Sequence, residues 1–470
     1  MTITRQVRTA VGTFLMSLML TGLAHAAETC EPVVGKLVTL EGRVDVQRTG
    51  SGAWSPAQLD QSLCKGDLIR AGQRSRATVQ LVNQAVLRID QNTAMRLDNI
   101  AAEKEERSSL SLLQGALQSF SRKPRGFEVS TPYLNGSIEG TEFVFRVKEN
   151  ESELTVFEGT VVASNAQGSV SVSGGESATA AKGQAPQART AVRPRDAAQW
   201  SLYYPPVLAA GSTADAGLQD AAALLSVGRV EEARAGIDKA LEQDPNAGLA
   251  YALSAVIHVV QNNNDQAMAD AERAVSLSPD SAAAKIALSY AQQAQFDIPG
   301  AHDTLLQAVQ QQPDDALARA RLAELQLMLG DRRQARESAQ KATSLDPNLS
   351  RTQMTLGFAA LAEFRNEEAK AAFTRAIELD PADPLSHLGL GLSKISAGDL
   401  EAGRSDIEVA VGLGSSDALL RSYLGKAYFE EKRAPLDMEQ FDMAKELDPN
   451  DPTAYLYSGI AKQTANRPVE

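Results

Sequence analysis

Residues 347–380, PNLSRTQMTLGFAALAEFRNEEAKAAFTRAIELD, are one unit of a pattern that recurs along the second half of the chain. Pro245, Pro279, Pro313, Pro347, Pro381 and Pro449 lie on a 34-residue ruler (279 − 245 = 34), and Ser415 stands where one more proline would fall. Five positions before the mark sits a small residue and eight before it an apolar one, as in Ala240 and Ile237, Ala308 and Leu305, Ala376 and Phe373, and Ala444 and Phe441. A second set of small residues recurs earlier in each unit: Ala255, Ala323, Gly357, Gly391, Gly425 and Gly459. Alanines 233, 267, 301, 335 and 369 form a third. Two short helices cannot bury an apolar face alone, so such units stack, and small residues belong where helix backbones approach. The proline is tolerated in the turn or first helical turn, where no backbone N–H is owed to the helix.

The period and its small positions resemble tetratricopeptide repeats from about Ala214 to the end of the chain. The resemblance implies an all-α, right-handed solenoid of seven repeats over residues 214–451. A final helix over 452–470 reads either as a solvating cap or as the front of a further repeat, because Asn466-Arg467-Pro468-Val469-Glu470 is similar to the start of a second helix. First helices in this family line a concave groove. Carried onto this chain, the groove positions include Val256, Ile286, Tyr290, Leu327, Met354, Phe358, Leu388 and Leu392, a largely apolar stripe suited to a peptide segment or helix. Part of that stripe is equally suited to packing between repeats.

Upstream the period changes from helical to two. Val44 and Val46, Ala77-Val79-Leu81, Leu87 and Ile89, Leu110 and Leu112, Phe143-Phe145-Val147, Leu154 and Val156, and Val170 and Val172 alternate with polar residues. Short alternating runs punctuated by Gly, Asn and Asp predict an all-β domain over residues 27–185. Its strings, in order, are Val34-Gly35-Lys36-Leu37, Glu41-Gly42-Arg43-Val44, Lys65-Gly66-Asp67-Leu68-Ile69, Leu113-Gln114-Gly115, Ile138-Glu139-Gly140-Thr141-Glu142-Phe143 and Val156-Phe157-Glu158-Gly159-Thr160. Together they resemble the periplasmic FecR-type domain. The glycines are expected in tight turns, with Asp67 and Thr141 satisfying turn amides. Members of that family carry a cytoplasmic sigma-factor-binding segment and a membrane helix before this domain, and use the domain to sense an outer-membrane receptor.

This chain opens differently. Arg5 and Arg8 precede an apolar run from Val11 to Leu23 and then Ala24-His25-Ala26, the pattern of a signal peptide spanning residues 1–26. Its removal takes the formal charge from −13 to −15 (44 basic minus 59 acidic), which disfavours nucleic acid as a partner. No later stretch is long and apolar enough to span a bilayer, so the mature chain is expected to lack a transmembrane segment. Cys30 and Cys64 are the two cysteines, and in an exported protein such a pair reads as a disulfide. The histidines of the mature chain, His258, His302 and His387, lie at separated turns, so no metal or cofactor site is expected. No nucleophile, base and acid occur in a catalytic arrangement, which reads as a non-catalytic protein.

Between the two domains, residues 186–213 are rich in Ala, Pro, Arg and Ser, as a linker should be. Inside them sits Trp200-Ser201-Leu202-Tyr203-Tyr204-Pro205-Pro206, too apolar for a free tether. Packing against the first repeat or the β-domain is one reading. Docking of a partner through Trp200, Tyr203 and Tyr204 is the other. The chain therefore reads as an exported, periplasmic scaffold, associated in one variant with the outer membrane, holding protein or peptide partners there. The alternative is a periplasmic sensor reporting the state of an outer-membrane receptor.

Overall fold

A computed structural model describes residues 30–101, 107–120, 126–139, 142–191, 194–208 and 215–465. The proposed signal peptide, Thr141 and residues 466–470 lie outside the described residues. Strands fill the region from Val33 to Thr190, and consecutive helices run from Ala216 to Thr464.

The strands form two sheets that share one long strand, Ser108–Phe120. Its second half pairs with Val86–Ile89 and Glu142–Val147 in the first sheet. Its first half pairs with Ala94–Asn99 and, in parallel, with Gly126–Ser130 in the second. The change of sheet falls at Gly115, whose φ is +88° and where a Cβ would lie 2.3 Å from the Thr93 hydroxyl oxygen. No larger residue fits that bend. Because side chains alternate along a strand, each sheet turns one face inward. Val46, Ile69, Leu87, Leu112, Phe143, Phe145, Leu154 and Val161 meet there in a single core. Val170, expected inside, is only partly buried against it.

Asp67 does the work expected of a turn aspartate. Its carboxylate accepts from the Cys64 amide at 2.8 Å and the Thr49 amide at 3.1 Å, and pairs with Arg48 at 2.6 Å. This cluster sits beside the Cys30–Cys64 disulfide, which ties the start of the described chain to the β-domain. In the chain-entropy account a loop of this size is worth about 3–4 kcal/mol.

In the helical half each 34-residue unit is a helix pair, such as Ser350–Ala362 with Asn366–Leu379. Second helices stop at the residue before the proline. Asp244, Gln312, Asp346, Asp380 and Asp448 there have φ between −127° and −144°, leaving the helical region as a following proline demands. Between the helices of a pair one residue per repeat takes positive φ: Gly228, Asn262, Phe296, Gly330, Phe364, Gly398 and Lys432, again 34 apart. The small positions explain themselves geometrically. A Cβ on Gly357 would lie 2.7 Å from the Phe373 ring, and one on Gly425 2.6 Å from the Phe441 ring. Gly459, in the same phase on the last helix Pro452–Thr464, has no atom within 4 Å, and Leu456 and Ile460 of that helix are exposed.

Candidate interaction groove

The groove positions do not form an open strip. Val256, Ile286, Tyr290, Met354 and Leu388 are buried, and Leu327, Phe358 and Leu392 are half-buried. Two parts of the same chain account for much of this. In the early repeats Val256, Ile286 and Tyr290 share a core with Leu202, Tyr204 and Val207 of the linker. Near the far end Leu388, with Leu392 against it, shares a core with Val38, Val86 and Phe120 of the β-domain. Phe358 turns to its own repeat, edge-on to Phe373 at 4.8 Å between ring centres. Leu327 is the last-but-one residue of its helix, Ala316–Met328, beside the exposed Met328.

A buried charged array accompanies the apolar stripe. The Arg321 guanidinium lies 3.9 Å from the centre of the Tyr290 ring and donates to Glu324 at 2.8 Å. Arg351 donates to the Tyr290 hydroxyl at 2.7 Å and to Asp383 at 3.0 Å, and its Nε is 3.1 Å from Glu324. Burial raises the Asp383 carboxyl to about 6 despite the adjacent Arg351. Asp383 also caps the next helix by accepting from the Leu385 amide at 3.0 Å.

The linker cluster enters this array. Trp200, Leu202, Tyr204 and Val207 are 6%, 7%, 3% and 4% exposed and Tyr203 is half-buried, so most of the cluster lies inside the molecule. Burial pushes the Tyr203 hydroxyl pKa upward, so it is a neutral donor, and it donates to Asp380 at 3.0 Å. Tyr204 lies elsewhere, in the core of the early repeats, and its hydroxyl donates to the Gln199 carbonyl at 3.4 Å. The backbone of the segment is held by the β-domain. Arg76 donates to the carbonyls of Trp200 and Leu202 at 3.0 Å each and to that of Ser226 at 3.0 Å. Arg88 donates to the carbonyl of Ser201 and, at 2.7 Å, to that of Leu413.

The β-domain thus touches both ends of the repeat array. At the first repeat Asp90 pairs with Arg229, and Arg74 with Asp220 at 2.9 Å. At the sixth and seventh, Glu142 pairs with Arg421 at 2.6 Å, both side chains almost fully buried. Arg421 also donates to the Ser415 carbonyl at 2.8 Å, and Gln118 donates to the Ser415 hydroxyl at 3.3 Å. The missing proline of the period therefore falls at the domain interface.

His387 is buried beside this interface, 2.9 Å from the Pro381 carbonyl through Nε2. Burial lowers its pKa to about 4. A base depressed in the folded state contributes stability above its unfolded pKa of about 6.5, and that contribution is lost as pH falls through about 4. Asp383, raised in the folded state, acts in the opposite sense over much of the same range, so wild type alone will not reveal either. Denaturant titrations of wild type and His387→Gln should diverge between about pH 7 and about pH 4, with wild type losing on the order of 3 kcal/mol more. Parallel pH profiles would refute the assignment.

Among the described residues no group of His, Cys, Asp and Glu could hold a metal ion, and no helix is long and apolar enough to cross a membrane.

A family model described as FecR protein matches residues 67–162. Two models described as tetratricopeptide repeat match residues 218–282, 355–418 and 388–452, and residues 316–349. A search of curated proteins finds no match. Among solved structures, a chain of the APC/C hetero-tetramer Cut9–Hcn1 is 14% identical over 52% of this chain and 52% of its own length, with a TM-score of 0.40. This chain thus spans about half of that relative. A tetratricopeptide protein of Thermus thermophilus is 23% identical over 38% of this chain and 97% of its own, with a TM-score of 0.35. A proposed anti-sigma factor from Parabacteroides distasonis is 14% identical over 29% of this chain and 67% of its own, with a TM-score of 0.26. These likenesses concern the fold alone.

Proposed function

We propose that this chain, which carries a FecR domain followed by tetratricopeptide repeats, is a non-catalytic protein-interaction scaffold of the periplasm, exported by residues 1–26. The observation that carries the reading is that the inner wall of the repeats already accommodates an extended chain segment, Leu202 to Val207. Its apolar positions accept side chains, while Asp380 takes up a hydroxyl. The Cys30–Cys64 disulfide supports an envelope location, since such bonds persist in oxidising compartments. Partners are proteins or peptides of the periplasm or of the inner face of the outer membrane.

A sensor that reports an outer-membrane receptor is the second reading, and one observation favours it. The buried Glu142–Arg421 pair joins the β-domain to the far repeats, a contact through which an event on one would reach the other. Location is tested by fusing alkaline phosphatase behind the first domain; activity in whole cells is expected, and an inactive fusion would remove the periplasm from the reading. Function is tested by affinity capture from periplasmic extract with the purified mature chain, followed by mass spectrometry. Assembly factors support the scaffold, and an outer-membrane receptor supports the sensor.

A further inference from the structure

We propose that Trp200–Val207 is a resident pseudo-ligand, and that the exchangeable ligand of the groove is an extended peptide with adjacent aromatic residues followed by proline. The inference rests on the reading of the repeats as a binding groove and adds to it the ligand class and the way the site is kept closed.

Leu202 to Val207 form neither helix nor strand, so no backbone ladder with the repeats holds them. They are held as peptide ligands are, by side chains in separate pockets. Tyr203 reaches the junction of the fifth and sixth repeats, where Asp380 accepts its hydroxyl at 3.0 Å near Arg351 and Asp383. Tyr204, the next residue, packs in the core of the early repeats with Val256, Ile286 and Tyr290, its hydroxyl turned back to the Gln199 carbonyl at 3.4 Å. Two neighbouring aromatics thus brace opposite stretches of the array. Pro205 and Pro206 follow, half-buried. Proline suits this place: it has no N–H to leave unpaired in an apolar groove, and its fixed φ reduces the entropy lost on ordering. Val207 then enters the same core as Val256, Ile286 and Tyr290.

At the start of the segment the carbonyls face the other domain, where Arg76 and Arg88 hold those of Trp200, Ser201 and Leu202. The pseudo-ligand is therefore clamped between two bodies, with Leu202, Tyr204 and Val207 packed on the repeats and the carbonyls of Trp200 to Leu202 held by the β-domain. A competing peptide must displace a tethered segment whose effective concentration is in the millimolar range.

The probe is a fluorescent synthetic peptide copying residues 199–208, QWSLYYPPVL, titrated by anisotropy against the full mature chain. Tyr203→Asp places a carboxylate against Asp380 and Asp383 and should free the groove. Its affinity for the probe is expected to exceed that of wild type by about 100-fold. A copy with alanine at both tyrosine positions should not bind. Should Tyr203→Asp lose its helical circular-dichroism signal, Tyr203→Phe removes only the bond to Asp380 and is expected to gain about tenfold. Equal affinity of wild type and a folded variant for the probe overturns the proposal, as does equal binding of the alanine copy. No envelope partner takes part, so this failure is separate from a failure to capture one: the first would move the ligand away from the tyrosine pockets, the second would remove the scaffold.

Discussion

Glu142→Ala is expected to lower stability by about 3–5 kcal/mol and to uncouple the melting of the two domains, because it breaks a buried ion pair by removing one partner. The pair is 2.6 Å apart, with 1% and 0% of the two side chains exposed. The Ser415 carbonyl would remain as a neutral acceptor for Arg421, and Gln118 would lose its bond to the other Glu142 oxygen, now 3.2 Å. Calorimetry should resolve a separate transition for the helical half, and limited proteolysis should cut between residues 186 and 215 sooner than in wild type. Glu142→Gln keeps the shape and one acceptor and should be milder. An unchanged single transition in Glu142→Ala would show that the interface is held by Val38, Val86 and Phe120 instead.

Phe373→Ala should cost about 3–5 kcal/mol, the range for emptying an aromatic site in a packed core. Phe373 is fully buried, and two successive first helices are shaped around it. A Cβ on Gly357 would lie 2.7 Å from its ring and one on Gly389 2.2 Å. The loss should be local, appearing as amide exchange in the fifth and sixth repeats while the first two stay protected, since stacked repeats depend chiefly on their neighbours. A sign change makes the test sharper. In wild type Gly389→Ala should destabilise by about 1–3 kcal/mol through overpacking. In the Phe373→Ala background the same change should stabilise by about 1 kcal/mol, because the ring is gone and alanine favours helix. Additive effects of the two substitutions would mean that the glycines are not there for the ring.

Local rules carried most of the fold. The 34-residue period placed the helix pairs because proline position and small residues report contacts between neighbours in sequence. Asp67 was legible for the same reason, since its amide partner Cys64 is three residues away, whereas the bond from the Thr49 amide, 18 residues upstream, was not. Ser415 was visible as a break in the period, yet its meaning was not, because Gln118 lies 297 residues away. The groove shows the same limit. Its apolar positions follow from repeat phase, whereas what covers them comes from the linker and from Val38, Val86 and Phe120. Arg76, Arg88, Arg351 and Arg421 are buried, and nothing in their sequence neighbours announces it. The positive-φ residue in each repeat could have been found from Gly228, Gly330 and Gly398, but Phe296 and Phe364 conceal the series.

The interface between the first domain and the late repeats also fixes an order of events during synthesis. Glu142 is made 279 residues before Arg421. At about 5–20 residues per second, that separation is roughly 15–60 s of elongation. Throughout that interval the growing chain has a β-domain in which Glu142, Val38, Val86 and Phe120 still lack the late repeats that pack on them. A neighbouring nascent chain that has already made its seventh repeat offers the same surface in trans. A chain that meets such a neighbour before its own late repeats are in place can pair with it in trans, which is the route to a swapped pair.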